Sequence, residues 1–370
     1  MRLAQQITFA FATVGLAAAA GCPAEKPADT PPPAPKAEAA PPPPPKFESR
    51  PECVGRPATT PEESFEIAGK KYIRKGSTIS LEGADADDEF VVGHLTDVKD
   101  HTPENAANLK ALSEWMKGEK IDAVVVSGDL GESAESVQAV AEDVASVGVP
   151  VLVVIGNREC AKDFNAGIKA AQAKFKNLIN MDEVRVFNTD DVSFVSMPGY
   201  YNKSYIHCAD GCEYSPDDVR ALPELAKAAT AANKVIVSHG PPLMTGATAI
   251  DRVHEGANVG DPVMAEVLKG GAFPFGLFGN IAEAGGRATN LAGDKVVAPE
   301  AWADSLYLNP GPADSVRWVM LDGTQSVGMA AAVHFKGKQA SYKIKRLGGA
   351  VAKPADANVD ANAYPKPAGK

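Results

Sequence analysis

Short polar segments that directly follow apolar runs carry the residues best able to do chemistry in this chain. HLTDVKD holds Asp97, SGDLGE holds Asp129, and IGNRE holds Asn157 and Arg158. SHGPP holds His239, FGNIAEAGG holds Asn280, and YLNPGP holds Asn309. Asp, Asn and His supply the oxygen and nitrogen donors of acid–base and metal chemistry, so loops of this kind at successive strand ends describe one convergent site. Chemistry in layered α/β folds gathers at the carboxyl ends of strands, where the loops begin.

The elements that must position these loops alternate in type. Apolar runs at 90–92, 123–126, 149–155, 192–197, 235–237 and 275–278 read as buried strands. Helical periodicity fills the intervals. Pro103 to Lys117 places Leu109, Leu112, Trp115 and Met116 on one face, Ser133 to Val147 opens with a capping Ser, and a third segment runs from about Ala161 to Ile179. The last part changes character: Ser315–Leu321, Met329–Phe335 and Ala340–Arg346 read as antiparallel strands. Strand–helix alternation predicts a layered α/β fold.

Both ends lie outside that pattern. Residues 1–22 have a basic start, an apolar stretch and a small-residue end at Gly21-Cys22, the layout of an export signal. AAAAGC is similar to a bacterial lipobox, with Ala19 where Leu is usual and Cys22 as the lipidation site; an ordinary cleaved signal is the alternative. Residues 23–50 form a Pro/Ala-rich spacer, residues 51–347 a single folded domain, and residues 348–370 a disordered tail. The expected location is therefore outside the cytoplasm, on a membrane through a lipid anchor, at the periplasmic or cell-surface side. A formal net charge of -10 excludes bulk attraction to nucleic acid. Four further cysteines, Cys53, Cys160, Cys208 and Cys212, suit an oxidising compartment. A local Cys208–Cys212 bridge with Cys53–Cys160 is one of three possible pairings, and His207 with Cys208 and Cys212 as zinc ligands is a rival.

In order and spacing, the polar loops resemble the calcineurin-like metallophosphoesterases. That family's run is D-x-H, G-D-x-x-D/E, G-N-H-D/E, a lone H, G-H-x-H and an N-P-G-S-like turn, and the resemblance spans Glu89 to Leu347. It implies a two-sheet α/β/β/α sandwich with two metal ions that activate a water and clamp phosphoryl oxygens. It also implies roles. Asp97 matches the first Asp ligand, Asp129 the bridging ligand, Asn157 the Asn ligand and His239 the lone His ligand. Asn309, Pro310 and Gly311 match the closing turn. Three motifs depart from the pattern. Lys99 replaces the first His, Arg158 replaces the His that assists the leaving group, and Asn280 and Ala282 replace the last pair.

One implied ion position is then left with Asp97, Lys99, Asp129 and Ala282. A protonated Lys is not a ligand. At 4 Å and an effective dielectric of 20, a divalent ion beside it would be repelled by roughly 8 kcal/mol, twice the single-charge value. Lys99 is therefore expected to replace that ion and to neutralise Asp97 and Asp129. The other position keeps Asp129, Asn157, His239 and Asn280, a set suited to one Mg²⁺, Mn²⁺ or Ca²⁺, or to no ion at all. Arg158 can grip a phosphate but does not give up a proton. Asp100 and His101 are potential substitute ligands, and His254 sits in a Gly-rich loop able to overhang the site. His94 is expected within or beside the first strand. The expected function is a degenerate, anion-binding or scaffold domain for a phosphate-containing small molecule or an envelope protein. An active phosphomonoester or phosphodiester hydrolase with a single-metal site is the alternative, and a purely structural spacer is a third.

Overall fold

The computed structural model describes Cys53 and residues 62–352. The expected signal with Cys22 and the spacer 23–50 lie outside the described residues.

In chain order the strands are β1 (Glu63–Ile67), β2 (Lys70–Lys75), β3 (Thr78–Leu81), β4 (Glu89–Leu95), β5 (Ala123–Val126), β6 (Val151–Val153), β7 (Leu178–Asn180), β8 (Val186–Asn188), β9 (Val192–Met197), β10 (Asn233–Ser238), β11 (Phe275–Leu277), β12 (Arg287–Thr289), β13 (Val296–Val297), β14 (Leu306–Asn309), β15 (Trp318–Val319), β16 (Thr324–Lys336) and β17 (Gln339–Ala352). The α-helices are α1 (Pro103–Gly118), α2 (Ala134–Ala145), α3 (Ala161–Lys174), α4 (Pro216–Arg220), α5 (Leu222–Leu225) and α6 (Pro262–Lys269). One sheet runs β1-β2-β3-β8-β9-β10-β11-β14-β12-β13. The other runs β15-β16-β4-β5-β6-β7, with β17 paired to β16. β4 to β7 are parallel, as are β9, β10, β11 and β14.

The layering follows from strand periodicity. In β5, Ala123 and Val125 join the core shared by the two sheets, while Val124 and Val126 join the core beneath α1, α2 and α3. On the far side, Val195, Met197 and Ile236 pack against Val219, Leu222, Met264 and Leu268 from α4, α5 and α6. The result is the expected α/β/β/α sandwich, in which fully buried strands read as continuous apolar runs. Helix starts follow their caps: the Thr102 side chain accepts from Asn105 N ahead of Pro103, and the Ser133 side chain accepts from Ser136 N.

Several expected boundaries move. α3 stops at Lys174, because Leu178 and Ile179 are buried as β7, and the Asn177 side chain bonds Ala145 O and Val149 O. The run at 149–155 yields strand only over Val151–Val153, and 315–321 only over Trp318–Val319. The final strand passes the expected domain end at 347 and reaches Ala352. Gly348, at φ +75°, lies where the β16–β17 register shifts, so the Gly pair that reads as a break accommodates an irregularity instead. Residues 353–370 lie outside the described residues.

Candidate metal and anion site

The loops after β4, β5, β6, β10 and β11 meet at the carboxyl ends of both sheets. Asp97, Asp129 and His239 are buried, and one ligand atom from each lies within 4.8 Å of the others. Four non-glycine residues of the site hold left-handed backbone: Asp97 (φ 56°), Lys99 (φ 67°), Asp129 (φ 58°) and Asn280 (φ 64°). Such conformations cost about 1–3 kcal/mol each and persist where the surroundings over-determine them. Here Asp97 N bonds Gly128 O (3.1 Å), Lys99 N bonds Asp129 O (2.8 Å) and Asn280 N bonds Asp97 Oδ2 (2.9 Å). Gly156 must lack a side chain, since a Cβ there would lie 2.2 Å from Asp129 Oδ1.

One half of the site is a set of converging donors. Asp129 Oδ1 accepts from Asn157 N and Arg158 N, each at 3.1 Å, and lies 3.3 Å from His239 Nε2. His239 Nε2 is 3.0 Å from Asn157 Oδ1, while Nδ1 donates to Ser127 O at 2.8 Å. That backbone carbonyl fixes the ring so that Nε2 faces Asp129 and Asn157, the usual arrangement behind a ligating His. Burial favours the uncharged form of both groups. Their mutual attraction outweighs it, holding His239 above and Asp129 below their ordinary ranges. Ser127 Oγ meets His94 Nε2 (2.8 Å), and burial pushes that imidazole down to about 3. The buried Glu159 carboxylate accepts from Leu130 N and Gly156 N (2.9 Å), bracing the second and third motif loops. Burial, then the charge of Asp129, raises it to about 8.

The other half is built around an ammonium. Lys99 Nζ lies 3.1 Å from Asp314 Oδ2 and 3.8 Å from Asp97 Oδ1, and 4.3 Å from the centre of the Trp318 ring. Trp318 Nε1 donates to Asp314 Oδ1 at 2.9 Å. The expected Lys99–Asp97 pair is present, but the nearer partner is Asp314 rather than Asp129, which feels Lys99 only through space. Ala282 is buried in a short 3-10 turn and offers no side-chain donor. Protonated Lys99 offers this half no ligand atom, while Asp97, Asp129 and His239 are placed so that they could hold a metal ion, with Asn157 Oδ1 beside His239.

Other sequence expectations are corrected. The Arg158 guanidinium is not an open fork: Nη2 pairs with Glu132 of SGDLGE, while Nε is buried without an acceptor. Asp100 and His101 turn away to α2, bonding Ser136 Oγ (2.8 Å) and Asp143 Oδ2 (2.9 Å). His254, in its Gly-rich loop, bonds Val319 O (2.9 Å), one residue from the Trp318 over Lys99. Cysteine pairing is Cys160–Cys208, so the local Cys208–Cys212 bridge and the zinc reading both fail. Asn280 turns its Nδ2 to Tyr200 Oη (2.9 Å), and Asn309 braces the loop through Ile281 O (2.9 Å).

Residues that sequence reasoning missed lie far along the chain or on exposed loops. Asp314 follows the closing turn and had only its proximity to Asn309 as a signal. His207 reads from sequence only as a zinc ligand beside Cys208 and Cys212, yet its N bonds Asn157 O (2.9 Å). Burial and the neighbouring Arg158 lower the His207 pKa.

With this geometry, residues 90–273 match the family model described as calcineurin-like phosphoesterase. The chain carries a calcineurin-like phosphoesterase domain. It is similar in structure to a dimetal phosphatase from Danio rerio at 13% identity and TM-score 0.45, over 70% of this chain and 96% of that one. It is also similar to GAP50, the anchor in the inner membrane complex of Plasmodium, at 14% identity and TM-score 0.46, over 70% and 84%. A third is the purple acid phosphatase PPD1 from yellow lupin, at 10% identity and TM-score 0.46, over 77% and 58%. The comparison with curated proteins gives no match.

Proposed function

We propose that this domain binds a phosphate-bearing ligand at a site with a single ion position, and that it hydrolyses esters weakly or not at all. The observation that carries this reading is the Lys99 ammonium held between Asp97 and Asp314 beneath Trp318. A two-ion phosphoesterase needs a cation there that can exchange ligands, and a covalently tethered ammonium cannot. Asp129, Asn157, His239 and Asn280 would hold the remaining ion as Mg²⁺, Mn²⁺ or Ca²⁺. A divalent ion there would supply charge stabilisation to a phosphoryl oxygen.

The chain's own residues then define an anion site. Arg158 remains cationic, its buried Nε–H lacks an acceptor, and its Nη2 partner Glu132 is an exposed carboxylate that a phosphate can displace. Arg158 cannot protonate a leaving group. Binding therefore outlasts turnover. Single-ion hydrolysis is the second reading, favoured by the convergence of Asp97, Asp129 and His239.

Metal content tests the proposal. The full chain, supplied with Mn²⁺, Mg²⁺ and Zn²⁺, should retain no more than one ion, and Asp129→Ala should release it. Two tightly held ions per chain with robust phosphatase turnover would overturn it. A lipid anchor at Cys22 and an exported location belong to the same reading. Fatty-acid labelling that survives Cys22→Ser would remove the anchor.

A further inference from the structure

An asparagine ligand works only if its carbonyl oxygen, not its NH₂, faces the cation. In this site the amide nitrogens of Asn157 and Asn280 are both engaged by one segment. Asn157 Nδ2 donates to Tyr205 O at 2.6 Å and Asn280 Nδ2 donates to Tyr200 Oη at 2.9 Å. The Tyr205 carbonyl can only accept, so it fixes the Asn157 amide with Oδ1 toward His239 Nε2, 3.0 Å away.

Between its buried ends, Tyr200 and Cys212, the segment bearing both acceptors is largely exposed. Residues 203–205 are exposed, Tyr205 48% so. What ties it down is local to the site. Cys160, three residues after Asn157, is bridged to Cys208, three residues after Tyr205. Around the bridge, His207 N bonds Asn157 O (2.9 Å) and Ala161 N bonds Asp210 O (3.4 Å), and Cys160 pairs with Gly211. At the base, Tyr200 N bonds Cys212 O (2.9 Å), and the buried Tyr200 ring lies 6.3 Å from that of His239. Exposed segments with few apolar contacts open at low cost, and a cross-link beside the functional group suppresses that opening.

We infer that the segment 200–212, fastened by Cys160–Cys208, is a positioning clamp that presents the amide oxygens of Asn157 and Asn280 to a divalent cation. The inference rests on the single-ion reading above. Tyr200, Tyr205, Cys160 and Cys208 act through the two asparagines.

The test is Mn²⁺ affinity of the full chain, oxidised and then treated with a dithiol. The dithiol delivers two electrons and two protons to the bridge, leaving two cysteine thiols and its own disulfide. Reduction should weaken Mn²⁺ binding by about 10–100-fold, the range for lost outer-shell partners, with far-UV circular dichroism unchanged. In Asn157→Asp both side-chain oxygens are equivalent, so its affinity should not fall on reduction. Tyr200→Phe, rescued by Asn280→Asp, gives the same test without touching the bridge. Equal affinity in the oxidised and reduced protein would overturn the clamp, as would an equal loss on reduction in Asn157→Asp. Oxidised protein with no Asp129-dependent Mn²⁺ binding would instead overturn the single-ion reading and the clamp with it.

Discussion

The two halves of the site sit on neighbouring loops and share left-handed backbone, yet they solve the problem of clustered charge in opposite ways. Around Asp129, the surroundings keep donors converged: Ser127 O sets His239, and Tyr205 O sets Asn157. Around Asp97, the chain supplies its own cation, boxed by Asp314 and Trp318. On the single-ion reading proposed above, the first arrangement leaves an ion to be acquired, and the second does not.

The largest effect should come from Lys99. Lys99→Met leaves Asp97 and Asp314 buried without their cation and should lower unfolding free energy by about 3–5 kcal/mol, read by denaturant titration. Lys99→His restores the family ligand and should raise metal content by one ion per chain. A variant that gained none would break the contrast between the halves.

The next effect concerns the buried column behind Asp129. His94 has its pKa depressed in the folded protein, so the unfolded chain binds the proton more tightly. The stability it contributes is present above the unfolded value near 6.5 and is lost as pH falls toward the folded value of about 3. Between pH 6.5 and 4 the wild type should lose about 3 kcal/mol more than His94→Gln. Parallel stability curves for the two proteins would show that His94 does not couple the column to pH. The smallest effect is at the lid of the ammonium box. Trp318→Leu removes the ring over Lys99 and the indole donor to Asp314, and should cost about 1–2 kcal/mol by thermal unfolding.

Much of this was legible because buried parallel strands announce themselves. The runs at β4, β5, β6, β9, β10 and β11 are buried, and all but β9 deliver a polar motif loop to the shared edge. β1, β2 and β3 were missed because ESFEI, KKYIRK and TISL are half-exposed and lack an apolar run. Of the candidate site, the motif positions Asp97, Asp129, Asn157 and His239 could be read directly. Asp314 and Trp318 could not, since they meet Lys99 only through the path of the chain across more than 200 residues. Cysteine pairing was equally closed to sequence, because it depends on how close the 203–212 loop comes to the residue after Glu159.

The ammonium box also changes what the domain asks of its surroundings. An ion can be stripped by a chelator or withheld by scarcity, and a site that depends on it empties. Lys99 arrives with synthesis of the chain, so this counter-charge is present in every folded copy and no competitor for metal can remove it. Asp97 and Asp314 keep their counter-charge whatever the supply of metal.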